Sequence, residues 1–168
     1  MATPVFIVGA PRSGTTWLAN MLGRHSQVAC VRQGTPGEDG AVNESGFFSH
    51  VAGKFGDLRE PNNLIQMIEV FGASTFFILS GLDKALLYRR RPAGDAAFFR
   101  AVMEALAERD GRRLWLEKTP SNTFHMDDIA AAYPDAKFVA TVREDIVAQI
   151  ASYLRIGEIR LGVKWRSL

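Results

Sequence analysis

A single cysteine, Cys30, in 168 residues excludes an internal disulfide and fits a reducing compartment, so a cytoplasmic location is expected. The bland reading of Cys30 is a small buried hydrophobe. Long apolar runs are also lacking. The longest, around Phe71 to Leu82, is interrupted by Gly72 and Gly81 and is too short to cross a bilayer. The run Val5 to Val8 is too short for a secretory leader and leads straight into a loop. Neither sign of charge dominates: 20 Lys and Arg against 18 Asp and Glu give a net +2. That is too little to indicate nucleic acid, but it suits a small anionic ligand. The His, Cys, Asp and Glu residues form no cluster with metal-ligand spacing, so no metal is expected. Internal repeats and low-complexity linkers are lacking as well. What is present, 47% hydrophobic and 23% charged residues, is the composition of one globular domain over 1–168 with a sizeable core.

Periodicity predicts strands alternating with helices. Pro4 to Val8, Val28 to Val31, Leu114 to Glu117 and Lys137 to Val142 read as strands. Gly14 to Arg24, Asn62 to Phe71, Ser74 to Tyr88, Gly94 to Arg109 and Glu144 to Ile156 read as helices. A further helix, capped by Ser121 or Asn122, runs to Tyr133 ahead of Pro134. Arg32 to Gly46, rich in Gly, Pro, Asp and Glu, reads as a loop. This alternation predicts an α/β fold with a parallel central sheet flanked by helices. Ligands of such sheets bind beyond the carboxyl ends of the strands. Arg12, Lys118 and Arg143 follow three of those ends.

The first strand runs into Gly9-Ala10-Pro11-Arg12-Ser13-Gly14-Thr15-Thr16-Trp17, where a helix opens at the second glycine. Strand, glycine-bounded loop and helix N-terminus make a phosphate cradle of backbone N–H groups. The spacing of Gly9 and Gly14 matches a nucleotide-triphosphatase loop, but Thr15 stands where that loop needs lysine. The cation is inside the loop instead, as Arg12, where it faces the end of a shorter anhydride. An altered phosphotransferase or nucleotide hydrolase is therefore the weaker alternative, and a non-catalytic binding module is another.

Pro11-Arg12-Ser13-Gly14-Thr15-Thr16-Trp17 resembles the 5′-phosphosulfate loop of sulfotransferases that use 3′-phosphoadenosine 5′-phosphosulfate (PAPS). Glu117-Lys118-Thr119-Pro120 resembles the second active-site segment of the bacterial and Golgi forms. Phe138 to Arg143 and the following helix with Ser152 resemble their 3′-phosphate segment. The resemblance spans the first loop to about Tyr153, with a diverged middle. It implies a P-loop-NTPase-like three-layer fold and transfer of a sulfuryl group from PAPS to a hydroxyl or amine, leaving adenosine 3′,5′-bisphosphate. The acceptor would be a small molecule, a carbohydrate or a peptide. Arg12 and Lys118 would neutralise developing charge. The amides of Ser13, Gly14, Thr15 and Thr16, with the Thr15 and Thr16 hydroxyls, would hold the 5′-phosphate. Arg143 and Ser152 would grip the 3′-phosphate. Trp17 stands where similar proteins stack a ring on adenine, and a core tryptophan is the competing reading.

The expected catalytic base is Glu44, in Asn43-Glu44-Ser45-Gly46-Phe47-Phe48, which resembles the Glu-x-x-Phe-Phe segment of heparan 3-O-sulfotransferases. Pro120 and Gln33 occupy the positions where other branches carry a histidine or glutamate base. The aromatic pair would anchor the loop and partly desolvate the carboxylate, raising its pKa. A solvated loop glutamate is the competing reading. Glu38, Asp39 and His125 are weaker candidates, and His25 reads as part of a helix terminus. Arg89-Arg90-Arg91 reads as a solvated helix end, with attraction of an anionic acceptor as its alternative. The later glycine- and lysine-containing loop of such enzymes is missing; Gly162 to Arg166 has its composition but neither its place nor its length. A fragment or a shortened member would bind cofactor weakly. Its apolar edge could be covered by another subunit, which makes a homo-oligomer an expectation.

Overall fold

The strand Thr3–Val8 (β1) lies at the centre of a parallel four-stranded sheet in the computed structural model, which describes residues 1–34 and 40–161, the last five as backbone only. Leu114–Lys118 (β3) and Lys137–Ala140 (β4) flank it, and Val28–Ala29 (β2) lies beyond β3, giving the order β2-β3-β1-β4. Ile7 pairs with Lys118 and Val8 with Ala140, so three strands end along one rim.

Side chains alternate across the pleat, and each face has its own partners. Ile7 and Leu116 pack with Ala19 of helix Thr15–Leu22 (α1) on one face. Phe6 and Trp115 join the larger core on the other, among helices Phe47–His50 (α2), Pro61–Gly72 (α3), Thr75–Ser80 (α4), Ala85–Arg90 (α5), Asp95–Arg109 (α6) and Met126–Ala132 (α7). That core is aromatic. Phe47 and Phe99 lie 4.7 Å apart between ring centroids, Phe71 and Phe98 5.7 Å, and Phe6 and Trp115 5.4 Å. Offset and edge-on pairs of this kind add to the burial of each ring. The predicted apolar face of α6, Phe98, Val102, Ala105 and Leu106, is buried.

The elements differ from the periodicity reading in several places. Strand β2 stops at Ala29, and beyond it Arg32 forms an isolated antiparallel bridge with Val42. The predicted helix 74–88 breaks at Gly81, whose φ of 66° closes α4. Asp83 then accepts from Ala85 N and starts α5 afresh. Apolar spacing continues across this break and conceals it. The predicted helix after Pro120 begins as a 3-10 turn, Pro120–His125, because Asn122 and Thr123 send their side chains elsewhere. Strand β4 ends at Ala140 rather than Val142, and Val142 is 88% exposed. The last helix, Ile146–Leu161 (α8), starts two residues late, with Asp145 accepting from Ala148 N. The segment Gly162 to Arg166, and with it the shortened-loop expectation, lies outside the described residues.

Phe99 touches Phe47, Phe48, Phe71, Phe76 and Trp115, and so ties the helical layer to the sheet. Phe99→Ala is expected to destabilise the fold by about 3–5 kcal/mol, measured as a drop in urea midpoint at unchanged slope.

Candidate active site

The loop after β1 is built on a tight turn. Ser13 N donates to Ala10 O at 3.0 Å, with Pro11 and Arg12 between them. Pro11 presets the first corner, and Arg12 takes the second at a φ of 70°. Glycine normally fills that left-handed corner, because a side chain there costs about 1–2 kcal/mol. Arginine holds it here despite the strain, a pattern that clusters at functional sites. Gly9 is required for space: a Cβ on it would sit 2.4 Å from Thr141 Oγ1. Gly14 is required for conformation, at a φ of 102°, and a Cβ there would meet nothing within 4 Å.

The hydrogen-bond ladder of α1 begins with Leu18 N donating to Gly14 O, so the amides of Thr15, Thr16 and Trp17 precede it. These first-turn donors and the helix dipole face a cleft of about 330 Å3 lined by Arg12, Gly14, Thr15, Thr16, Trp17 and Arg143. Trp17 is 67% exposed on this cleft, so it is not a core residue of α1. Arg143 is exposed and makes no ion pair among the described residues. The predicted donor set is therefore smaller than expected at one point. The Ser13 amide is consumed by the turn, and Ser13 Oγ lies 2.7 Å from Thr141 Oγ1, facing away from the cleft. Ser152 is also placed differently: it accepts from Arg12 Nε at 2.9 Å, and no hydrogen bond joins it to Arg143. Gln149, one turn earlier on α8, donates to Pro11 O at 3.0 Å.

Lys118 ends β3 on the α1 face and is 2% exposed. Its ammonium donates to Thr16 Oγ1 at 3.1 Å and to Glu44 Oε1 at 2.5 Å. A lysine this buried needs such partners. Glu44 is 47% exposed, so Phe47 and Phe48 anchor its loop in the core without enclosing the carboxylate. Water and Lys118 share it, contrary to the expected desolvation. A second cleft, of about 320 Å3, has Glu44, Ser121 and Tyr153 among its walls, together with Arg12, Thr15 and Thr16. Those last three residues line both clefts, and Thr16 also accepts from Lys118, the partner of Glu44.

Other candidates lie apart. His125 lines neither cleft, and Glu38 and Asp39 lie outside the described residues. Arg90 is bound to Glu108 and Ala101 O, while Arg91 lines a separate groove with Tyr88. A larger cavity, about 720 Å3, is a mostly apolar groove along β4 and α8 that contains none of Arg12, Lys118 and Glu44. The described residues include no group of His, Cys, Asp and Glu suited to a metal and no helix long and apolar enough to cross a membrane.

Sequence reasoning missed Glu117. It points to the opposite face from Lys118 and is 1% exposed. Its Oε1 accepts from Ser45 Oγ at 2.7 Å, Ser45 N at 3.3 Å and Thr119 Oγ1 at 2.5 Å, and its Oε2 accepts from Asn122 Nδ2. Burial pushes its carboxyl above the usual glutamate range, against the pull of these donors and of Lys118. The available signal was a carboxylate next to the strand-end lysine in a strand otherwise apolar.

A parallel four-stranded sheet flanked by helices, with a glycine-bounded loop and a helix N-terminus after a central strand, defines an α/β protein of the class whose ligands bind beyond the carboxyl ends of the strands. The sulfotransferase family model matches residues 4–166, and the chain belongs to that family. It is similar in fold to the crystal structure of sulfotransferase STF1 from Mycobacterium tuberculosis H37Rv, with a TM-score of 0.53 and 19% identity over 94% of this chain. The chain spans about half, 50%, of that relative's length. No curated protein matches it.

Because Glu117 holds its proton more tightly folded than unfolded, its contribution to stability is full below the unfolded value near 4.5 and is lost as pH rises through the raised folded value. Glu117→Gln is expected to remove that loss. The difference in urea midpoint between variant and wild type, followed from about pH 4 to about pH 8, should grow in the variant's favour. A constant difference would mean that the group does not titrate there.

Proposed function

We infer that the chain transfers a sulfuryl group from PAPS to a hydroxyl or amine of an acceptor. The observation that carries this reading is the junction of two clefts at Arg12, Thr15 and Thr16, with the Lys118–Glu44 pair beside it. Family membership supports the reaction class. The residues present fit a doubly phosphorylated adenosine: first-turn amides and open space at Gly14 for one phosphate, an exposed Arg143 for the other, and exposed Trp17 for a base. PAPS, when bound, supplies the activated sulfuryl group. Arg12 and Lys118 are preorganised cations where negative charge accumulates on the donor's bridging oxygen. Glu44 accepts the proton that the acceptor oxygen or nitrogen loses as its bond to sulfur forms. Bound to both Glu44 and Thr16, Lys118 links the proton acceptor to the donor loop.

Thr15, where a triphosphatase loop carries lysine, argues against ATP as the ligand. Calorimetry is expected to show that adenosine 3′,5′-bisphosphate binds more tightly than ATP with magnesium; the reverse order would reject the sulfotransfer reading. Arg143→Ala should weaken the bisphosphate about tenfold or more, the worth of one charge-assisted contact, and leave 5′-AMP nearly unchanged. Arg12→Gly separates strain from function. It should leave folding stability unchanged or raised by up to about 1 kcal/mol while weakening bisphosphate binding. A variant that binds normally would remove Arg12 from the site.

A further inference from the structure

The segment carrying Glu44 has no regular secondary structure, yet each of its amides is held. Asn43 N donates to Val31 O at 2.8 Å, and Glu44 N to the Asn43 side-chain oxygen at 2.9 Å. Ser45 N donates to Glu117 Oε1, Gly46 N to Thr119 Oγ1 at 3.2 Å, and Phe47 N to Ser45 Oγ at 3.2 Å. The last three bonds run through Glu117 or through hydroxyls that Glu117 itself fixes.

We propose that Glu117 is a positioning residue: its buried carboxylate pins the turn from Ser45 to Phe47 and thereby holds Glu44 against Lys118. For its catalytic meaning this rests on the reading of Glu44 as proton acceptor; the positioning itself does not. The pleat explains the arrangement. Adjacent residues of β3 point to opposite faces, so Lys118 reaches the donor loop while Glu117 reaches beneath the acceptor-side turn. One strand end thus sets both halves of the site. An apolar residue at 117 would leave Ser45 N, Ser45 Oγ, Thr119 Oγ1 and Asn122 Nδ2 without their acceptor, the last two in a buried place, at the cost such orphans carry. Glutamine would not. Its oxygen can take the Ser45 and Thr119 donors, and its NH2 can donate to Asn122 Oδ1 once that amide rotates. Asn122 Oδ1 is buried and has no hydrogen-bond partner among the described residues.

The test reads the turn and the ion pair directly, without an acceptor. Amide exchange at Ser45, Gly46 and Phe47 and the 15Nζ resonance of Lys118 are followed by NMR in the wild type and in Glu44→Gln, Ser45→Ala, Thr119→Val, Glu117→Gln and Glu117→Ala. Ser45→Ala removes the acceptor of Phe47 N and Thr119→Val that of Gly46 N, so each should speed exchange at that amide about tenfold or more, the effect of one lost hydrogen bond, while β1 amides keep their protection. Both should move the Lys118 resonance toward its position in Glu44→Gln. Glu117→Gln should preserve both signals, and Glu117→Ala, where folded, should lose both. An unmoved Lys118 resonance in Ser45→Ala and Thr119→Val would overturn the proposal and leave Glu117 as a core hydrogen-bonding group. Calorimetry with adenosine 3′,5′-bisphosphate on the same samples keeps the two readings apart: loss of binding in the wild type refutes the donor assignment, not the positioning.

Discussion

The parallel pairing of β1 with β3 and β4 is the constraint on which everything else rests. Neighbouring strands of a parallel sheet run the same way, so the chain leaves each of them along a common edge. Register refines this. Ile7 opposite Lys118 and Val8 opposite Ala140 bring the glycine-bounded loop after β1, the strand-end lysine and the segment leading to Arg143 to one rim. A slip of β3 by one residue would exchange the faces of Lys118 and Glu117. The cation would then point into the aromatic layer and the carboxylate toward the helix N-terminus, where neither has its present partners. The apolar faces on both sides of the sheet forbid that slip, so core packing and site assembly are enforced by the same contacts.

Unfavourable local states collect around this rim. Arg12 occupies a backbone conformation that suits glycine, Lys118 is buried, and Glu117 is a carboxyl with almost no access to water. Each is held by specific partners: the turn closed by Ser13 N, the contacts of Lys118 with Glu44 and Thr16, and the hydroxyl and amide donors on Glu117. Glu44, about half exposed, is the exception: Lys118 holds one of its oxygens and the rest of the carboxylate stays open to water.

Much of the fold was legible. Strands β1 and β3 and helix α6 stood out because their apolar periods are strong and bounded by turn residues. The break at Gly81 was concealed because the apolar spacing runs through it, and only the left-handed φ reveals the end of α4. The 3-10 turn after Pro120 was concealed because Asn122 turns back to Glu117 in β3 and Thr123 accepts from Gly9 N, which lies far away in sequence. At the site, Arg12, Lys118 and Arg143 were legible because each lies at, or within four residues of, the carboxyl end of a strand. The pairing of Ser152 with Arg12 was not, since it depends on how α8 lies over the loop. Nor was the turn's use of the Ser13 amide, which the spacing alone would leave for a ligand.

Sequence alone determined which residues sit at strand ends, where the helix N-terminus opens, and that the loop's cation is an arginine inside it, because these follow from local patterns of a few residues. Tertiary structure decided which cation meets which carboxylate, that Glu44 stands open beside Lys118, and that Glu117 works from the far face. Those contacts join residues more than seventy positions apart, and only a completed sheet, with its register and its two packed faces, specifies them.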